Sequence, residues 1–134
     1  MKKKFTLPKE FALKWLEALR SGEYKQGERF LANKGVQTTF CCLGVAGRIC
    51  GYSVEQLNST HFFKSELFGK VPNEIVGSSE NELSLTLSRL NDGIILDINS
   101  ESDYNFRVDY KKGEPLKLNF NQIADFIEDN VKFT

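Results

Sequence analysis

Residues 15–51 read WLEALRSGEYKQGERFLANKGVQTTFCCLGVAGRICG, and most of the fold turns on this stretch. Its first residues finish a helix expected over 8–20. Phe11, Ala12, Trp15, Leu16 and Leu19 recur at helical spacing and give one apolar face. Pro8 suits the first turn, where its missing N–H costs nothing. Ser21-Gly22 stops the helix, with Gly22 able to adopt a left-handed cap. A polar loop follows, and residues 28–40 predict a short hairpin in which Asn33-Lys34-Gly35 forms the turn and Val36, Thr38 and Phe40 share a face. From Cys42 to about Cys50 the chain reads as a short helix closed by Gly51. It has almost no polar side, so it is expected to be the central buried helix, and Gly44, Ala46 and Gly47 would let another backbone come close.

Beyond this stretch, Ser53 can cap a turn through Val54-Glu55-Gln56-Leu57. Phe62, Phe63, Leu67 and Phe68 need cover, Val71-Pro72 resists helix, and Gly77-Ser78-Ser79 reads as a loop. Residues 80–91 fit a helix through Leu83, Leu87 and Leu90, stopped by Asn91-Asp92-Gly93. Ile94–Ile98 and Tyr104–Tyr110 read as a hairpin inside an insertion at 94–118. Asn119 and Gln122 form a capping box for the last helix, with Leu118 and Ile123 as its hydrophobic staple; Phe120, Ile123, Ala124, Ile127 and Val131 form its stripe. The expectation is one compact α+β domain over 1–134, with about four helices and one or two antiparallel hairpins.

Composition supports a folded chain. Of 134 residues, 40% are hydrophobic and 12% aromatic, with eleven phenylalanines, which argues against disorder. No apolar run approaches the roughly 20 residues that span a bilayer, and Lys2-Lys3-Lys4 is followed by no apolar signal core. Three cysteines, two of them adjacent, do not make a secreted disulfide framework. A reducing cytoplasm without membrane attachment is the expected setting. Net charge is zero, yet residues 1–70 hold twelve Lys/Arg against six Asp/Glu and residues 71–134 the reverse. The halves are thus +6 and −6. Either they pair with each other, or they form a dipole that draws an anionic partner to the N-terminal half. Nucleic acid is disfavoured, because no basic run beyond the N-terminal tail accompanies the aromatics.

The runs ALRSGEYKQG, FCCLGVAGRICG, LSRLNDG and FNQIADFIEDN resemble a group of small uncharacterised proteins encoded by tailed bacteriophages and prophages. The likeness covers about residues 12–51 and 86–130. It implies a setting, an accessory gene product acting in a bacterial cytoplasm, and carries over no catalytic residues. Together with small size and the lack of a coherent catalytic set, it leads to the expectation of a non-enzymatic binding protein that interferes with host antiviral defence by sequestering a nucleotide-type signal or occluding a host protein. This chain departs from the pattern by about 25 residues between Asn91-Asp92 and the last helix, a candidate contact surface.

Two kinds of site are candidates. The polar loop offers Tyr24 for stacking, Gln26 as a paired donor and acceptor, and Arg29 as a fork for phosphate or carboxylate. Arg20, Lys25 and Arg48 add positive charge, and Asn91-Asp92 could close the same pocket around a small anionic ligand. Equally, Tyr24 and Gln26 could pack the turn, and Asn91-Asp92 could serve only as a helix cap. The alternative is a cysteine-dependent hydrolase with Cys42 as nucleophile and His61 as base, against the tendency of free cysteine to be buried structure. Cys41, Cys42, Cys50 and His61 are zinc-type ligands, but adjacent cysteines fit poorly on one tetrahedron. Gly22-x4-Gly27 lacks the Lys-Ser/Thr of a phosphate loop. Asp125, Glu128 and Asp129 read as a solvated face. No metal or cofactor is expected. The apolar central helix and the Phe-rich 62–68 region permit a homodimer without demanding one.

Overall fold

In a computed structural model, residues 3–77, 81–93 and 117–134 are described. The fold is α+β. In chain order the elements are β1 (Phe5–Leu7), α1 (Lys9–Arg20), β2 (Ala32–Lys34), β3 (Thr38–Phe40), α2 (Cys42–Ile49), α3 (Val54–Leu57), a 3-10 turn at Asn73–Ile75, α4 (Glu82–Asp92), α5 (Phe120–Asn130) and β4 (Val131–Phe133).

The helices begin and end where local chemistry dictates. Pro8 caps α1, and the Ala12 N–H donates to its carbonyl at 2.9 Å. Gly22, at φ +79°, turns the chain away after Ser21. Cys41 caps α2 with its own sulfur, which accepts from the Gly44 N–H. Ser53 with Gln56, and Asn119 with Gln122, form complete capping boxes on α3 and α5, and each satisfies N–H groups that the helix itself cannot. Gly93 closes α4 at φ +77°.

Helix α2 is central, as its composition predicts: Cys42 to Gly47 are all buried. It packs on α1 on one side and on α4 on the other, and α5 completes the ring against α1 and α4. Gly44 makes this geometry possible. A Cβ there would lie 1.6 Å from the Leu31 carbonyl oxygen, so only glycine lets the chain before β2 lie on the helix. The Trp15 indole, fully buried, finds the partner such a group needs by donating to the Cys42 carbonyl at 3.0 Å.

Three expectations are corrected. The β2–β3 ladder pairs Asn33 with Thr39 and Lys34 with Thr38, so the turn sits at 35–37 and Asn33-Lys34 belong to the strand. Val36 is then at the tip, fully exposed, rather than on the inner face with Phe40. Leu67 is also exposed, whereas Phe63 and Phe68 are buried, with Phe68 packed edge-on against both Tyr52 and Phe63. Finally, a parallel pair joins the chain ends: Phe5, Thr6 and Leu7 align with Val131, Lys132 and Phe133. Val131 therefore contributes its burial from a strand, and Phe126 joins the buried side of α5. The hairpin expected at 94–110 lies outside the described residues.

The chain leaves α4 and returns to α5 at one place. The Leu118 N–H donates to the Leu90 carbonyl at 2.9 Å, and a Cβ on Gly93 would lie 3.0 Å from that of Lys117. Replacing residues 94–116 by a short Gly/Ser linker is expected to preserve a single cooperative thermal transition followed by circular dichroism. Loss of the transition would show that the fold depends on the excised residues.

Candidate functional site

Asn91 sits in the last turn of α4, fully buried, and its amide is saturated. Its Oδ1 accepts from Gln26 Nε2 at 3.0 Å and from the Cys42 backbone N–H at 3.1 Å. Its Nδ2 donates to the Gly27 carbonyl at 2.8 Å and to Asp92 Oδ1 at 3.0 Å. Gln26 Nε2 also donates to the Leu118 carbonyl at 2.8 Å. Gly27 lies flat against β3, where a Cβ would fall 2.4 Å from Thr39 Oγ1. The Asn91 amide thus ties the end of α4 to the 24–29 loop and the start of α2, and Gln26 carries the link on to the residues before α5.

Asp92 extends the network outward. Its Oδ1 accepts from the Arg29 N–H at 3.0 Å. Arg29 has φ +71°, and the Phe30 N–H donates to the Glu28 carbonyl across it at 2.8 Å. An i→i+2 bond around a residue in the left-handed region marks the rare, strained γ-turn. Arg29 is exposed. Ion pairs among the described residues engage Lys4, Lys14, Arg20, Lys34 and Lys117, but not Arg29.

The remaining candidates are dispersed. Tyr24 packs edge-on to Phe40, with ring centroids 5.3 Å apart. Arg20 bridges α1 to α5 through Asp125 at 2.8 Å and Glu128 at 3.5 Å; the Asp125 bond chiefly pushes its pKa up further. Two carboxylates of the expected solvated face are therefore paired. Arg48 lies at the far end of α2 and donates to the Tyr52 carbonyl at 2.8 Å. Of the set Arg20, Tyr24, Gln26, Arg29, Arg48, Asn91 and Asp92, the structure brings together Gln26, Arg29, Asn91 and Asp92.

Cys42 is fully buried, and its thiol donates to the Leu87 carbonyl at 3.6 Å. Burial pushes the Cys41 thiol up to about 12 and that of Cys42 well above its ordinary value. His61, by contrast, is exposed and stacks on Phe30. A buried thiol and an exposed imidazole are not an activated nucleophile and its base. Among the described residues, no group of three or more His, Cys, Asp or Glu could hold a metal ion, and no helix is long and apolar enough to cross a membrane.

The sequence reading missed Phe30 as a partner of His61, Trp15 as the clamp on Cys42, and Leu118 as an acceptor. None carries a local signal, because each partner lies far along the chain.

Replacing Asn91 by alanine strands the Cys42 N–H and the Gly27 carbonyl. It is expected to cost about 3–5 kcal/mol in denaturant unfolding. Asn91→Asp, nearly isosteric, is expected to be no milder, since it sets a carboxylate against Asp92 Oδ1 and the Gly27 carbonyl.

The thiols predict a pH effect. Below the ordinary thiol pKa of 9.0, folded and unfolded chains both keep the protons of Cys41 and Cys42. Above it the unfolded chain releases them while the folded chain holds on, so stability should fall from pH 9.0 towards about 12. Replacing both by alanine should flatten that part of the curve. Cys50, only half-buried, should react first with a thiol reagent at neutral pH.

No curated protein and no solved structure matches the chain. A family model described as Domain of unknown function (DUF8296) matches residues 7–131. The match spans most of the sequence, and the chain belongs to that family.

Proposed function

We propose that this is a non-enzymatic binding protein of tailed-phage or prophage origin, acting in the bacterial cytoplasm to interfere with a host antiviral defence system. It works by capture, taking up a nucleotide-type signal or covering a host protein. The observation that carries the reading is how the fold uses its polar residues. Gln26, Asn91 and Asp92 are engaged with one another and with backbone, and the buried Cys42 thiol is held as a donor. Hydrolysis through Cys42 and His61 gains no support from that arrangement. What the loop presents outward is Arg29, a residue type favoured at binding hot spots.

Covering a host protein is favoured by the fully exposed Val36 at the tip of the β2–β3 hairpin, beside Lys34 and Gln37. A second copy of the chain is a further candidate occupant of that tip.

The test is native mass spectrometry of the protein purified from bacterial cells, beside the same sample denatured, with pull-down from host lysate as its second arm. An adduct of a few hundred daltons that denaturation releases would support signal capture. A stoichiometric host protein lost on Val36→Asp would support occlusion. Turnover of any adduct on incubation, abolished by Cys42→Ser, would overturn the non-enzymatic reading.

A further inference from the structure

Two loops meet beside the Asn91 network. The Leu31 N–H donates to the Thr60 carbonyl at 2.6 Å and the Ser59 N–H to the Ala32 carbonyl at 3.0 Å, so the chain entering β2 runs alongside the chain leaving α3. This pairing lays His61 on Phe30, with ring centroids 4.7 Å apart and planes 36° from parallel. Phe30 is half-buried and gives the imidazole a floor, while His61 itself is exposed. Arg29 precedes Phe30 in its γ-turn. Among the described residues, the non-glycine residues at positive φ are Arg29, at +71°, and Ser59, at +59°. They stand one on each of these two loops.

Holding a non-glycine residue in such a conformation costs about 1–3 kcal/mol, which glycine would avoid. Arg29 is exposed and immediately precedes Phe30, the floor of the His61 ring. Nearby acidic groups are engaged: Glu28 is paired with Lys117, and Asp92 accepts from the Arg29 N–H and from Asn91. Exposed Lys64 lies three residues beyond His61 and adds positive charge.

We infer that the Arg29–Phe30–Ser59–His61 rim is a binding site for a planar aromatic ring carrying a phosphate, that is, a mononucleotide. The base stacks on the open face of His61, Arg29 holds the phosphate by its fork, and the Ser59 hydroxyl supplies a donor or acceptor at the edge. The inference rests on the capture reading and names the ligand class and the surface for it. It moves the site from Tyr24 and Gln26, whose rings and amides are spent inside the fold, to the residues just beyond.

The experiment is a titration of the isotopically labelled protein followed by amide NMR, with AMP, adenosine and inorganic phosphate as three separate probes. AMP is expected to shift the amides of Arg29, Phe30, Ser59 and His61 more strongly than either adenosine or phosphate. Arg29→Gly should weaken AMP binding about tenfold, the size of one charge-assisted interaction, and at the same time raise the melting temperature by relieving the turn. A residue with a purely structural role would not give that opposed pair of effects. His61→Ala should remove the response to adenosine. AMP shifts confined to other residues, or an Arg29→Gly protein that binds AMP like the parent, would overturn the site. Phosphate matching AMP would overturn the nucleotide assignment. A silent titration beside a host protein seen by native mass spectrometry would overturn this site and leave the capture reading standing.

Discussion

A primary amide withdrawn from water has two donor hydrogens and two acceptor sites to satisfy, and each one left empty costs more than a completed bond returns. Asn91 completes all four, and its partners come from the 26–27 loop, the start of α2 and the neighbouring Asp92. The amide therefore does what an apolar side chain in its place could not. Apolar contact between α2 and α4 would tolerate sliding, whereas simultaneous bonds to the Cys42 N–H and the Gly27 carbonyl fix both the height of α2 and the path of the loop. Trp15 adds a second pin by taking the Cys42 carbonyl, so the first peptide groups of α2 are held from α1 on one side and from α4 on the other. With Gly44 lying against Leu31, the central helix has little freedom in any direction.

That rigidity explains how the γ-turn at Arg29 persists. An isolated loop would relax out of a left-handed arginine. Here the Arg29 N–H is taken by Asp92, the Phe30 N–H by the Glu28 carbonyl, and the Leu31 N–H by the Thr60 carbonyl. Three consecutive amides are committed, two of them to segments that the core anchors, and the strained conformation becomes the one that satisfies all of them. The buried network and the exposed arginine are two ends of one mechanical arrangement: Asn91 places Asp92, and Asp92 places Arg29.

The legible parts of this fold were those whose causes are local. Helices α1, α2, α4 and α5 follow from apolar spacing and from caps within a few residues, and the Asn119–Gln122 box is as visible in sequence as in space. The β1–β4 pair was not legible. Each strand has three residues, too few for a period-two pattern, and the partners lie at opposite ends of the chain. The β2–β3 turn was misplaced because Asn33-Lys34-Gly35 has good turn chemistry, yet Thr39 pairs with Asn33 and carries the ladder past it. The residues of the network could be picked out as unusual, but their roles could not. Gln26 and Asn91 look the same in sequence whether they face a ligand or each other, and only the burial of Asn91 separates the two. The Phe30–His61 stack depends on a contact between two loops that no spacing announces.

Charge segregation along the chain takes on a different meaning once these contacts are in place. The cationic N-terminal half and the anionic C-terminal half meet directly: Arg20 with Asp125 and Glu128, and Lys4 with Glu82. These pairs are partly or largely exposed, and such contacts are worth about 0–1 kcal/mol each, so they do little to hold the fold. Their effect on the outside field is larger, because each removes a pair of charges from the dipole that the sequence suggests. Lys34 is likewise answered by Glu55, and Lys117 by Glu28. An anionic partner would then be guided less by a global field than by the cations that remain local to the rim, Arg29 and Lys64. At physiological salt, screening over about 8 Å restricts attraction to that neighbourhood, which places the burden of recognition on side chains that touch the ligand.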